Sequence, residues 1–291
     1  MYELCNISGN TYYINCPAKI GLYLNGNDVY LIDSGNDKDA GKKIKRIIDS
    51  NGWVLKAIIN THSHADHIGG NKYLQQQTGC RIFAKGIESA FTLYPILEPA
   101  FLSGSYPSCD LLHKFLYAQD SNCKDISSPD FPEFLEVIDL PGHSFEMIGI
   151  RTPDNVLFIA DSISSSQTIE KYGVSFIYDI DSYLATLKIL DNVSADFFVP
   201  SHADICTDIS DLLETNRNKV LEIAHDITNI LVNQTTFEEL LTEIFNKYEL
   251  VMTAEQYVLI GSTVKSYLSY LKNNQKIQSF FYNNKQYWKT V

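Results

Sequence analysis

The 291-residue sequence is 45% hydrophobic and 20% charged, the balance of a globular chain with room for one large domain or a medium one plus a small one. A formal net charge of −12 disfavours non-specific attraction to nucleic acid or anionic membrane over the surface as a whole, and no run of roughly 18 apolar residues exists to span a bilayer. Residues 1–6 carry no basic region followed by an apolar run, so a cytoplasmic location is expected, with the six scattered cysteines reduced.

In chain order, Thr11–Cys16, Ile20–Leu24 and Val29–Ile32 are rich in β-branched and aromatic residues and predict strands, with Asn25-Gly26-Asn27-Asp28 as a hairpin turn. The third strand ends in Asp33-Ser34-Gly35. A helix is predicted from about Asp37 to Ser50, apolar along Ile44, Ile47 and Ile48 and stopped by Asn51-Gly52. Leu55–Asn60 predicts a short strand, Asn71–Gln77 a helix, Arg81–Ala84 a strand and Gly86–Phe91 a short helix. Residues 92–130, with Pro95, Pro99, Pro107 and Pro129 and little periodicity, predict a long irregular insertion, read as a lid or wall over a site. A Cys109–Cys123 bridge across it is not expected, and Cys16 and Cys206 are read as small core filler.

Strand signals return at Phe134–Leu140, Met147–Arg151 and Val156–Ala160. A helix capped by Asp181 or Ser182 and a strand at Asp196–Val199 follow. Strands and helices alternate in two successive halves, which predicts sheets covered by helices. The remainder has no such alternation. Val220 to Leu231 follow helical spacing, Thr236-x-x-Glu239 is a capping-box pattern, and Thr253-x-x-Gln256 opens a third helix. Ile277–Phe281 and Gln286–Lys289 then predict a hairpin, a winged-helix-like order. The expected division is a catalytic domain over 1–213 and a small domain over 214–291.

The chemistry concentrates in Thr61-His62-Ser63-His64-Ala65-Asp66-His67, which places four potential ligands within six residues. Side chains two apart in an extended segment point the same way, so His62 and His64 can face one metal ion. If the chain turns into a helix after Ala65, Asp66 and His67 face a neighbouring position. His143, Asp161 and His202 follow at wide intervals, each after an apolar run, and Asp161 at a strand end could bridge two ions. A lone histidine after a strand is usually structural. A cluster of ionisable groups is hard to pack without a cation. Nitrogen and carboxylate donors without thiolates suit zinc, with iron or manganese as alternatives.

His-x-His-x-Asp-His after a strand, then Pro141-Gly142-His143-Ser144, Ala160-Asp161-Ser162 and Pro200-Ser201-His202, resembles the metallo-β-lactamase-fold hydrolases, and Leu31-Ile32-Asp33-Ser34-Gly35 matches their early Asp motif. The resemblance covers about residues 10–205. It implies an α/β fold, an αββα four-layer sandwich with the site along one edge. It implies two divalent metal ions, one held by His62, His64 and His143 and the other by Asp66, His67 and His202, with Asp161 between them. Asp33 would orient a ligand or the backbone, and Asp66 could also orient the nucleophile. The implied activity is metal-dependent hydrolysis by a hydroxide held on the two ions, acting on a thioester, ester or lactone of a small molecule.

A helical tail after the last histidine resembles glyoxalase II, a thioesterase. The winged-helix-like order is similar to members that cleave RNA. Segment 261–291 holds five lysines and no acidic residue, so a phosphodiesterase or endoribonuclease guided by this tail is the alternative. The preferred reading is that its aromatics pack and its lysines form a solvated face. A mononuclear iron persulfide dioxygenase and a non-catalytic metal-binding protein are further alternatives. His64 stands where the flavodiiron branch typically has Glu, which argues against that branch. No membrane partner is expected.

Overall fold

The first sheet starts as a meander set by tight turns in the structure, a computed structural model describing residues 2–291. β1 (Glu3–Ser8), β2 (Thr11–Asn15), β3 (Ile20–Asn25) and β4 (Asp28–Ile32) pair antiparallel in chain order. Gly26, at φ 64°, supplies the left-handed backbone for the two-residue turn between β3 and β4. Pairing then becomes parallel, because helices carry the chain back each time. α1 (Lys38–Ser50) leads to β5 (Val54–Ile59). α2 (Ala65–Ile68) and α3 (Asn71–Thr78) lead to β6 (Arg81–Ala84). α4 (Gly86–Leu93), α5 (Leu97–Ser103) and a 3₁₀ turn at Cys109–Leu111 lead to β7 (Cys123–Asp125).

The second sheet has the order β11-β10-β9-β8. It is built from β8 (Glu136–Asp139), β9 (Ile148–Arg151), β10 (Val156–Ser164) and β11 (Phe197–His202), with α6 (Ser166–Tyr172) and α7 (Ile180–Leu190) between the last two. The inner faces meet through Tyr23, Ile32, Ile59 and Phe83 from the first sheet and Ile148, Ile150, Phe158 and Val199 from the second. The approach is close enough that a Cβ on Gly21 would lie 2.6 Å from the Phe158 ring. α1 and α3 cover the outer face of the first sheet through Ile44, Ile48 and Leu74, and α7 covers the second through Leu187 and Leu190. The layers are therefore helix, sheet, sheet, helix, as the family resemblance implies.

Three helices and a hairpin complete the chain: α8 (Ser210–Ile230), α9 (Phe237–Lys247), α10 (Ala254–Asn273), β12 (Ile277–Tyr282) and β13 (Lys285–Thr290). Both sides of the Thr236–Glu239 capping box form, and Thr253 caps α10. Position 213/214 lies inside α8, and one apolar cluster runs from Leu140 and Leu157 under the second sheet through Val220, Ile244 and Val264 to Ile277. The tail thus shares the core of the second sheet.

Several elements differ from expectation. Residues 92–130 are not irregular throughout, since they hold α5, the 3₁₀ turn and β7. Pro99 sits in the first turn of α5, where a missing N–H leaves no intrahelical bond unmade, so it does not interrupt the helix. β7 is three residues long and β1 lacks a clear buried alternation, and neither offers the period that marks a strand. Asp179, not Asp181 or Ser182, caps α7, accepting from both of their N–H groups. β10 continues past Ala160 to Ser164, so Asp161 lies within an irregular strand segment rather than at its end. All six cysteines are free, and no described helix is long and apolar enough to cross a membrane.

Asp37 caps α1, accepting from the Ala40 N–H at 2.9 Å and from Lys114 Nζ of the 92–130 segment at 3.0 Å. Burial alone would raise its carboxyl pKa, but these donors outweigh it and hold the group below the usual carboxylate value. Asp37→Ala is expected to lose about 1 kcal/mol in chemical denaturation at pH 7. A folded-state pKa below the unfolded value near 3.9 means this contribution is present above about pH 4 and disappears as pH falls through the folded pKa. A wild-type and variant difference that persists undiminished at pH 2 would contradict this.

Candidate metal centre

Parallel neighbours end side by side, and the candidate ligands stand where they end. β4 runs into Asp33 and its partner β5 into Thr61–His67, while β10 carries Asp161 and its parallel partner β11 ends on His202. His143 sits in the β8–β9 connection. His64 is extended, at φ −62° and ψ 147°, and directly precedes the single-turn helix α2 that carries Asp66 and His67. Gly69 and Gly70 let that helix lie against the loop after β4. A Cβ on either would come within 2.3 Å of backbone atoms of Asn36 or Ser34.

The structure brings all seven predicted ligands together. His64 Nδ1 lies 3.1 Å from His62 Nε2 and 3.0 Å from His143 Nε2, so three ring nitrogens converge. Beside them, His202 Nε2 lies 3.4 Å from Asp66 Oδ2 and 3.3 Å from Asp161 Oδ2, and His67 Nε2 lies 3.3 Å from Asp161 Oδ1. His143 Nε2 is 3.5 Å from Asp161 Oδ2, which places that carboxylate against both groups. His67 Nε2 and Asp161 Oδ1 are buried without a hydrogen-bond partner. Converging nitrogens, carboxylate oxygens and two orphaned polar atoms fit a divalent cation, which would satisfy donors that the protein leaves unpaired.

The outward nitrogens are anchored, which fixes each ring. His62 Nδ1 lies 3.1 Å from Thr61 Oγ1, His143 Nδ1 3.1 Å from the Phe176 carbonyl, and His202 Nδ1 3.1 Å from the Pro17 carbonyl. His67 Nδ1 lies 2.8 Å from Asp33 Oδ2. Asp33 also accepts from the Thr61 N–H and Oγ–H, both at 2.8 Å, and sits at φ 67°. It therefore ties His67 to the loop that carries the candidate ligands. A non-glycine residue held in the left-handed region carries backbone strain, retained here by the Thr61 and His67 contacts.

Burial holds His64 and His143 down to about 4 and His62 well below its usual value, so all three offer lone pairs at neutral pH. Asp161 pushes His202 up to about 10 against burial, while burial of His67 is overcome by Asp161, Asp66 and Asp33, which raise it. Burial would raise Asp66 and Asp161, yet neighbouring His67 and His202 hold both below the carboxylate range.

The cluster opens onto a cavity of about 1040 Å³, lined by the core, the insertion and the tail. Glu98 and Phe115 come from the insertion, Phe176 from the loop after α6, and Leu259 from α10. Tyr172 lines this cavity, whereas Tyr106 points to solvent and Tyr178 packs against Phe145 with the rings tilted by 35°. Cys16 and Cys206, read as core filler, are half-buried: each packs against an apolar cluster and also lines the cavity wall, Cys16 donating to the Ala18 carbonyl. Two buried acids escape a sequence reading. Glu88 is 0% exposed, and Glu98 lies 3.7 Å from His64 Nε2 with its carboxyl pushed up to about 8 by burial, then by Glu88 and Asp66. No pattern around either acid distinguishes it from a surface glutamate on a short helix.

Asp33→Asn keeps the side-chain shape but replaces one acceptor oxygen with a donor. A loss of metal affinity of about 10- to 100-fold in chelator competition is expected. Affinity equal to wild type would show that Asp33 does not orient His67.

Residues 10–202 match the family model described as the metallo-beta-lactamase superfamily. Curated relatives named hydroxyacylglutathione hydrolase match over shorter stretches. That of Methylococcus capsulatus is 36% identical over 66 residues, 20% of this chain and 26% of the relative. That of Erythrobacter litoralis is 29% identical over 136 residues, 45% of each. This chain therefore spans less than half the length of the curated relatives it matches. Among solved structures, a beta-lactamase domain protein from Burkholderia ambifaria superposes with a TM-score of 0.74 at 13% identity, covering 99% of this chain and 94% of that one. A metallo-beta-lactamase family protein from Thermus thermophilus gives 0.72 at 16% identity, covering 97% and 99%. At these identities the structures speak for the fold alone. With the family model spanning two thirds of its length, this chain belongs to the metallo-beta-lactamase superfamily.

Proposed function

We propose that this protein is a hydrolase that uses two divalent metal ions, zinc foremost, to cleave an ester-like bond in a small molecule, with a thioester as the leading substrate class. The observation that carries the reading is the position of Asp161, in contact with both ligand groups on the wall of an open cavity. His62, His64 and His143 would hold one ion and Asp66, His67 and His202 the other. Bound there, the ions would supply Lewis acidity and lower the pKa of water at the site.

The chain's own residues do the positioning. Asp66 is the most open of the ligands, with 37% of its side chain exposed, so its carboxylate can orient a water entering from the cavity. Phe176 packs edge-on against His64 and His143 at 5.3 and 5.8 Å between ring centres, shielding them from solvent on that side. A departing thiolate, whose thiol has a pKa near 8.5, needs no protonation at neutral pH, unlike an alkoxide or amine. This favours a thioester, as does the name of the curated relatives. An open cavity beside the ligands supports catalysis over a purely structural metal. The tail supports the small-molecule reading. Lys265, Lys272 and Lys289 lie over the rings of Phe237, Trp288 and Phe280, so these cations and rings already pair within the protein.

Freshly purified protein is expected to contain about two equivalents of metal by elemental analysis. It should hydrolyse at least one member of a panel of hydroxyacylglutathione and simple acyl thioesters, aryl esters and lactones. Chelation should abolish turnover, and His64→Ala should lower kcat/KM by about 100-fold or more. Full activity without metal would sink the proposal. Cleavage of RNA with no turnover on the panel would replace it with the phosphodiesterase reading.

A further inference from the structure

Glu88, on α4, is 0% exposed, and its carboxylate is not among the converging ligands. Its two oxygens accept four hydrogen bonds. Oε2 accepts from the Ser63 N–H at 3.0 Å and the Ser63 Oγ–H at 2.5 Å. Oε1 accepts from the Ser144 Oγ–H at 2.7 Å and the Glu146 N–H at 3.0 Å. Ser63 stands between His62 and His64, and Ser144 follows His143. One carboxylate therefore joins two ligand loops that belong to different sheets, one after β5 and one between β8 and β9.

These loops share no strand pairing, because β5 and β8 lie in separate sheets, and the Ile148 N–H donating to the Thr61 carbonyl at 2.9 Å ties the β5 loop to the start of β9 rather than to the His143 turn. The site needs them in register, since His64 Nδ1 must sit 3.1 Å from His62 Nε2 on its own loop and 3.0 Å from His143 Nε2 on the other. α4 is tied to the same loop a second time, through the Ile87 N–H donating to Glu146 Oε2 at 2.7 Å. We propose that Glu88 is a positioning residue that sets the spacing between the two loops and so preorganises the three-histidine group, while leaving the Asp66, His67 and His202 group to other anchors. This rests on the reading that the histidines hold metal. The acid is required because both oxygens accept from a backbone N–H, and an amide would turn a second donor towards one of them.

The test measures zinc affinity by chelator competition, and the visible spectrum of the cobalt-loaded protein, for Glu88→Gln and Glu88→Ala in two backgrounds. His202→Ala leaves the three-histidine group intact, and His143→Ala leaves the other. Glu88→Ala is expected to weaken zinc by about 10- to 100-fold in the first background and not in the second, with Glu88→Gln intermediate and the cobalt spectrum altered only in the first. Glu88→Gln keeps the test open if the alanine variant does not fold. Ile244→Ala, a core truncation on α9, serves as a control for stability loss alone.

Unchanged affinity in the first background would overturn the proposal. So would equal losses in both backgrounds that track Tm as Ile244→Ala does. A wild-type protein that takes up no zinc, cobalt or other divalent ion would overturn the metal reading and this inference together. Normal uptake with no effect of Glu88 removes the inference alone.

Discussion

Five imidazoles and two carboxylates meet with their polar atoms facing one another, and the rest of the structure is arranged around that meeting. Neutral rings tolerate burial, charged ones need an opposite charge beside them, and like groups at about 3 Å repel unless something cationic lies between them. Burial keeps His62, His64 and His143 neutral. Asp161 instead favours the charged forms of His67 and His202. The two halves of the cluster thus differ electrostatically before any ligand arrives. One is a set of neutral nitrogens and the other a mixed-charge set sharing one carboxylate.

A sandwich of two sheets is a good way to hold such a cluster. Parallel pairs finish together, so β4 with β5 and β10 with β11 present four chain ends along one edge, the position where α/β sheets commonly bind ligands. Each sheet fixes its own ligands through its ladder, but no ladder crosses from one sheet to the other. Apolar packing between Phe158, Ile32 and their neighbours sets the distance between sheets without specifying a register. Register at the site falls to polar ties: Asp33 within the first sheet, the Pro17 carbonyl reaching His202, and Glu88 between the β5 and β8–β9 loops. Hydrogen bonds can do this because they are directional and, once buried, expensive to leave unmade.

The convergence of these seven side chains was legible because His62, His64, Asp66 and His67 fall within six residues, and because His143, Asp161 and His202 sit in short motifs whose order resembles that of a known family. Sheets covered by helices were legible because β-rich and helical segments alternate in two halves, while the four-layer sandwich came from the family resemblance. Precision failed where tertiary contacts overrode local signals. Asp161 reads as a strand end, but β10 continues through an irregular stretch in which Ala160 takes φ 50°. Asp179 outcompetes Asp181 and Ser182 as the cap of α7 because it stands far enough upstream to accept from both. Glu88 and Glu98 were illegible for a deeper reason. An acid on a short helix ordinarily faces water, and only the fold turns these two inward.

The same blindness applied to the insertion and tail, and their packing shows why they belong in one account. Leu102, Leu111 and Leu116 of the insertion form a small buried cluster with Val258 of α10, and Phe176 and Leu259 pack against it. Leu116, Phe176 and Leu259 continue from that cluster onto the cavity wall. Neither segment can close this wall alone, because each buries its apolar residues against the other. The shape of the cavity is therefore a joint property of two segments that local periodicity treats separately. The converging histidines and carboxylates come from the sandwich, while the wall of the cavity before them is built where residues 92–130 meet α10.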